Sequence, residues 1–403
     1  MKRKLHLRMG KPVWLSYRAP KPAFSPLEKN VKTDVLVVGA GISGAMIAES
    51  LTDNGLSVVM IDRRGPMLGS TPATTALVQN ELDTPLSLLA NQIGKENARD
   101  AWRRSRLAVA GLKARIEELG VKCNFAERPS LLLAGDVLDA AALAEELDLR
   151  REAGVYADYL TRAALKQRFG VARAAAILNP DNIAIDPRKL TAGFLNAALA
   201  RGAVIYAPVE AATFDSSRQG VTVETTTGRK IRAEYVVLAT GYELASVAPS
   251  KGHKIISTWA MATRPQKSKL WPREAFIWEA SEPYLYLRAT PDGRVICGGE
   301  DEEFEDEQKR DALLPSKTRT IARKLAKLMP QLDVTPDYAW AGSFGVTPTG
   351  LPIIGAVPGR PRIQSIMGYG GNGITFSRIA TELVTSAILG KKDADAHLFA
   401  PKG

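Results

Sequence analysis

Six residues, Gly39-Ala40-Gly41-Ile42-Ser43-Gly44, constrain this chain most, because they fit G-x-G-x-x-G and stand between a strand-like run and a helix-like one. The run before them, Asp34-Val35-Leu36-Val37-Val38, is short, apolar and β-branched, the pattern of a buried parallel strand. Residues Ser43 to Asn54 favour a helix that Gly55 stops, and Ser57-Val58-Val59-Met60-Ile61 reads as a second strand. In such a βαβ unit Gly39 allows the tight turn, Gly41 lets the backbone approach a pyrophosphate and Gly44 lets helix and strand pack closely. The helix start at Ile42 and Ser43 then offers amide donors to phosphates. Asp62 ends the second strand, 18 residues past Gly44, where a carboxylate accepts hydrogen bonds from a ribose, and Arg63 follows it. A glycine turn in an ordinary βαβ unit is the bland alternative, but this placement points to a dinucleotide. FAD and NAD use the same strand, turn and helix, so the motif does not choose between them.

Later segments repeat the mixture of strand and helix. Residues 95 to 120 and 136 to 153 are rich in Ala, Leu, Glu and Arg and read as helices with solvated faces. Asp186-Pro187 supplies an N-cap with proline at the first helical position, and Gly202 closes that helix. Strand-like segments follow at 203 to 207, 221 to 225 and 235 to 239, the last ending in Ala239-Thr240-Gly241. Tyr284 to Ala289, a turn at Thr290-Pro291-Asp292-Gly293 and a return strand from Arg294 to Gly299 form a hairpin. From Ile374, Phe376, Ile379, Ala380, Leu383, Val384, Ala387 and Ile388 recur at helical spacing until Gly390.

Composition removes several classes of function. Of the formal charge of +11, seven cations precede the first acid, Glu28, and without them the excess is +4. With no interleaving of aromatic and basic residues beyond that tail, the charge argues against nucleic acid as the partner. No apolar stretch approaches the roughly 18 residues of a transmembrane helix. Cys123 and Cys297 form no paired spacing, and His6, His253 and His397 are scattered, so no metal site is expected and a cytoplasmic, reducing location fits. The acid-free leader reads as a tail wrapping the first domain with Trp14 as its anchor; a transit or membrane-surface segment is the alternative.

Several separated motifs in order give a resemblance running from about Pro12 to Phe399. To the glycine motif they add Gly69-Ser70-Thr71, Ile185-Asp186-Pro187, Ala239-Thr240-Gly241, Thr349-Gly350-Leu351-Pro352-Ile353-Ile354-Gly355 and Gly368-Tyr369-Gly370-Gly371-Asn372-Gly373-Ile374. The chain resembles the FAD-dependent D-amino acid oxidase superfamily, in the branch with glycine oxidase and sarcosine oxidase. The resemblance implies an α/β, two-dinucleotide-binding (Rossmann-like) FAD fold with an interleaved α+β substrate lobe. Residues 31–85, 165–245 and 335–403 would form the discontinuous FAD domain, 86–164 and 246–334 the substrate domain, and 1–30 a basic extension.

The same resemblance implies that Val209 lies near the adenine. Ser70, Thr71, Thr74, Thr75 and Ala76 would run along the diphosphate and flavin edge, and Gly371, Asn372, Gly373, Ile374 and Thr375 would stand beside the pyrimidine ring. Amides at a helix start near Asn372 would stabilise the negative charge of a reduced flavin; a plain capped surface helix is the alternative. In the hairpin, Tyr284, Tyr286 and Arg288 share one face. Arg288 suits the family's task of gripping a substrate carboxylate, with Tyr286 beside it, unless the face is simply solvated.

Three departures qualify the resemblance. Sarcosine-oxidase-like members attach FAD through a cysteine just before the segment that here reads Thr347 to Gly350; no cysteine follows Cys297, so non-covalent FAD is expected. The loop from Gly69 to Leu82 offers Thr74, Thr75 and Gln79 in place of the relatives' arginine, which weakens sarcosine as substrate. The strand Val295-Ile296-Cys297 lacks the lysine that helps oxygen react, leaving oxygen or an electron-acceptor protein as partner. The expected reaction is hydride transfer to flavin N5 from the carbon beside a neutral amine or amino acid nitrogen, the imine then hydrolysing. Its rivals are a dehydrogenase subunit feeding a partner, a flavin-dependent RNA-modification protein, and FAD as a structural element without turnover.

Overall fold

The computed structural model describes residues 5–249 and 251–401. Lys2, Arg3 and Lys4 of the basic leader lie outside the described residues. The βαβ unit comprises the strand Val31–Val38, the helix Ile42–Asp53 and the strand Val58–Ile61. These strands pair in parallel, Val35 opposite Val58 and Val37 opposite Met60.

They belong to an eight-stranded sheet whose main path runs Ile353–Val357, Arg360–Met367, Lys230–Leu238, Val31–Val38, Val58–Ile61, Val204–Tyr206. Val35, Val37, Met60 and Val237 point into a core shared with the helices Ile42–Asp53, Pro187–Ala200 and Gly373–Ile388. Leu36, Val59, Val236 and Leu238 point the other way, onto Val209, Phe214, Val221 and Val223. Burial on both faces explains why these strands read as continuous apolar runs. Parallel pairing also sets the carboxyl ends of Val31–Val38 and Lys230–Leu238 side by side, where ligands bind in such sheets.

A second, ten-stranded sheet is mostly antiparallel. Its centre is the run Pro336–Val346, Lys254–Thr263, Val295–Glu302, Leu285–Ala289 and Phe276–Glu279, continued by Ala126–Leu133 and Ala175–Ala184. The 22-residue helix Glu307–Leu328 covers one face, packing Ile321 and Leu325 against Trp259 and Met261. The leader joins this sheet too, Arg8–Gly10 pairing antiparallel with Trp340–Gly342. The strands Ala175–Ala184 and Pro336–Val346 fall in stretches that the motif order groups with the FAD domain, yet both pair in this second sheet.

Among the described residues no helix is long and apolar enough to cross a membrane. Cys123 and Cys297 are buried free thiols.

Candidate cofactor and substrate site

A cavity of about 970 Å³ lies between the two sheets, at the upper end of the roughly 300–1,000 Å³ typical of ligand pockets. One end is lined by Gly39, Gly41, Asp62, Arg63 and Val209, the other by Asp83, Trp278, Tyr284, Tyr286 and Gly371. Ile42, Ser43, Ser70, Thr71, Thr74, Thr75, Ala76, Ala239, Thr240, Gly241, Gly373 and Ile374 also line it. Gly44, Asn372, Thr375 and Arg288 are not among its walls.

The first end follows from the glycine motif. Gly39 has φ +115°, and a Cβ there would run into the Ala239 carbonyl. A Cβ on Gly44 would collide with the Gly39 carbonyl, so Gly44 acts behind the wall by letting helix and strand touch. A Cβ on Gly41 would meet only the Thr71 hydroxyl, at 3.3 Å, so the backbone faces the cavity. The Thr71 hydroxyl accepts the Ile42 amide at 3.2 Å. Asp62 accepts the amides of Ala40 at 2.9 Å, Arg64 at 2.8 Å and Gly65 at 2.9 Å. Its Oδ2 takes only one of these and keeps acceptor capacity for a ribose hydroxyl. Arg63 and Arg64 are both ion-paired with Glu243, and Arg63 also with Glu210 at 3.2 Å.

The leader forms part of this end. Leu5 and Leu7 line the cavity. The Leu5 amide donates to Glu243 at 2.7 Å and its carbonyl accepts from Arg64 at 2.9 Å. Two backbone bonds at Leu5 therefore tie the leader to the cavity wall.

The middle wall, residues 73–76, is held from behind by three buried donors. Trp14 Nε1 donates to the Thr74 carbonyl at 2.7 Å, and Trp340 Nε1 to that of Ala73 at 2.8 Å. Arg288 donates to the carbonyls of Ala76 at 2.5 Å and Ile185 at 3.1 Å. Its guanidinium stacks 5.3 Å from the Trp14 ring and 5.7 Å from that of Phe276. At 1% exposure and absent from the cavity wall, Arg288 faces neither the cavity nor solvent and is out of reach of a substrate carboxylate there. The sequence showed the correct strand face, but Tyr286 reaches the cavity and Arg288 lies one pleat further in, behind Ala76.

At the second end the helix Gly373–Ile388 begins without a side-chain cap. Asn372 instead donates to the Glu81 carbonyl at 2.9 Å and accepts the Asp83 amide at 3.0 Å. The Thr375 hydroxyl donates to the Gln79 carbonyl at 2.7 Å. Asn372 and Thr375 thus tie the helix to the loop beneath it, leaving its first amides for a ligand. Asp83 accepts the Gly371 amide at 2.8 Å, and burial pushes its carboxyl up to about 6.

Tyr284 and Tyr286 lie 5.6 Å apart at 33°. Tyr284 donates to Asp301 at 3.1 Å. Burial raises Asp301 to about 6, although hydrogen bonds from Thr258 and Tyr284 oppose this. Burial likewise pushes both tyrosine hydroxyls above their ordinary value. Asp83, Asp301, Trp278 and Tyr242, which meets Tyr369 in edge contact at 6.1 Å, escaped sequence reasoning. Asp83 stands one residue past the loop that drew attention, and only its proline-bound turn hints at a role.

The family described as FAD dependent oxidoreductase matches residues 34–387, a span containing both ends of the cavity. The chain belongs to that family. The chain is 24% identical over 404 residues to a probable oxidoreductase OrdL of Rhizobium meliloti, covering 94% of this chain and 88% of the relative. Among solved structures it is similar to glycine oxidase from Geobacillus kaustophilus, with TM-score 0.73, 22% identity and coverage of 90% and 96% of the two chains. It is also similar to L-proline dehydrogenase from P. horikoshii, with TM-score 0.77, 21% identity and coverage of 92% and 97%. At such identities these structures establish the fold, an FAD-binding two-dinucleotide architecture. As a member of the FAD dependent oxidoreductase family, the chain has residues that fit the family's cofactor. The glycine cradle admits no Cβ at Gly39 or Gly44, and the uncapped helix start faces the opposite end of the same cavity.

Proposed function

We propose that the chain oxidises the C–N bond of a small amine or amino acid, using FAD held without a covalent bond. The observation that carries this reading is one continuous cavity joining the Gly39 to Gly44 cradle to a tyrosine-walled end beside the uncapped helix at Gly373. The bound flavin supplies the two-electron acceptor for the reaction, and the oxidised imine hydrolyses in water.

The chain's own residues supply the rest. Gly39, Gly41, Ser43 and Thr71 would hold the diphosphate, Asp62 the ribose, and Val209 the adenine side. The amides of Gly373 and Ile374 would face the pyrimidine edge, where negative charge develops during reaction. Tyr284, Tyr286 and Trp278 exclude water and lower the proton affinity of a bound amine by desolvation. No carboxylate grip is assigned to Arg288, because two backbone carbonyls occupy its guanidinium.

No cysteine follows Cys297, and that supports non-covalent attachment. The electrons pass to oxygen or to an acceptor protein. Lys254, the one lysine of the cavity wall among the described residues, is exposed and 3.6 Å from Glu303, which favours the acceptor protein. Two buried thiols suit the cytoplasm, where we place the chain. Acid precipitation of the purified protein tests the attachment: free FAD in the supernatant is expected, and flavin retained in the pellet contradicts it.

A further inference from the structure

We propose that the tyrosine-walled end of the cavity is built for an amine that carries a second positive charge and no carboxylate. This rests on the amine oxidation proposed above and narrows it.

The charges at that end have one sign. Asp83 faces the cavity, with one carboxylate oxygen held by the Gly371 amide at 2.8 Å. Asp301 sits behind Tyr284, bonded to its hydroxyl at 3.1 Å, and lies near enough to feel the charge of Asp83. The cavity's arginines, Arg63 and Arg64, are at the other end and are both paired with Glu243. Lys254 is exposed and turned to Glu303 at 3.6 Å, while His253 packs against Gly345 and Gly368. Arg288, the cation that would have neutralised a carboxylate, is spent behind Ala76.

The wall has the same preference. The rings of Tyr284 and Tyr286, their centroids 5.6 Å apart, both line this end, and aromatic rings attract cations. Trp278 adds a third ring, 8% exposed, to that wall. A carboxylate placed here would face Asp83, with Asp301 behind the tyrosine, a like-charge arrangement that disfavours it. An ammonium would meet the Asp83 carboxylate and an aromatic wall, with the Asp301 charge behind Tyr284. A second ammonium held here anchors the substrate while its other nitrogen, neutral, presents its adjacent C–H bond.

Calorimetric titration of the flavin-loaded protein with tetramethylammonium and with acetate tests this without turnover. Saturable binding of tetramethylammonium is expected, weakened about tenfold or more by Asp83→Asn, with no binding of acetate. Asp83→Asn keeps an acceptor for the Gly371 amide, and a melting temperature of the holoprotein that is not lowered confirms that the fold is kept. Binding of acetate in preference, absence of tetramethylammonium binding, or binding indifferent to Asp83→Asn overturns the proposal.

Anaerobic bleaching by 1,3-diaminopropane, propylamine and 3-aminopropanoate adds a second readout. Half-saturation is expected at the lowest concentration for the diamine and the highest for the aminocarboxylate, and the reverse order overturns the proposal. If no amine bleaches the flavin, the oxidation reading fails, while the titration still decides the cation site.

Discussion

Asn372 and Asp83 are bonded across the cavity's inner end: the Asn372 side-chain oxygen accepts the Asp83 amide at 3.0 Å. Asp83 returns a contact to the same turn by accepting the Gly371 amide at 2.8 Å. The pair fixes an acid at the start of the helix Gly373–Ile388 and keeps the asparagine from capping it. Asn372→Ala removes the bonds to both Asp83 and Glu81 in a buried place. A loss of about 1–3 kcal/mol is expected from the groups left unsatisfied, together with faster release of FAD. Urea unfolding and flavin fluorescence check the two effects, and unchanged values in both contradict the role assigned to Asn372.

Arg150 forms a second support under the same loop. Fully buried, it bonds Glu81 and Glu146 at 2.8 Å each and stacks 4.5 Å from the Trp102 ring. Arg150→Ala leaves two acids uncompensated, and a loss of about 3–5 kcal/mol is expected in denaturant unfolding.

Arg288 and Trp14 act on the wall rather than on the substrate. Arg288→Lys cannot keep the guanidinium's stack on Trp14 and Phe276, or its second donor, Nε, on the Ala289 carbonyl at 3.3 Å. FAD is expected to dissociate at least about tenfold faster, with the order of preference among amines and aminocarboxylates unchanged. A change in that order without a change in FAD retention would put Arg288 in contact with substrate.

The buried acids make stability depend on pH. Asp301 is raised to about 6 in the fold, against about 3.9 when unfolded. For such a group stability is fully present below the unfolded value and is lost as pH rises through the folded one. Asp301→Asn is therefore expected to stabilise the protein at pH 8 by roughly 1–2 kcal/mol and to have no such effect near pH 3.5. Melting temperatures at the two pH values decide it, and an equal shift at both contradicts the assignment.

Much of the cofactor end was legible because its chemistry is local. Gly39, Gly41, Gly44 and Asp62 lie within one βαβ unit, where turn geometry and close packing dictate residue type at each position. The helix Pro187–Ala200 was equally readable, since Asp186 caps it by accepting the Arg188 and Lys189 amides. The helix Glu307–Leu328 was not, because Pro315 in its interior reads as a break. The partnering of Lys254–Thr263 with Pro336–Val346 spans many residues and leaves no periodic trace. At the substrate end, alternation placed Tyr286 and Arg288 on one face but carried no information on depth, which depends on Ala76, Ile185 and Trp14 arriving from elsewhere. Asp83 and Asp301 come together only through the fold.

Anaerobic mixing of the purified protein with amines and with D- and L-amino acids, following the visible band of oxidised flavin, tests the central claim most directly. The account predicts a yellow protein whose band is bleached by an amine, with the imine-derived carbonyl compound recovered afterwards. A protein that takes up no FAD, or a yellow one that no amine or amino acid bleaches, contradicts it.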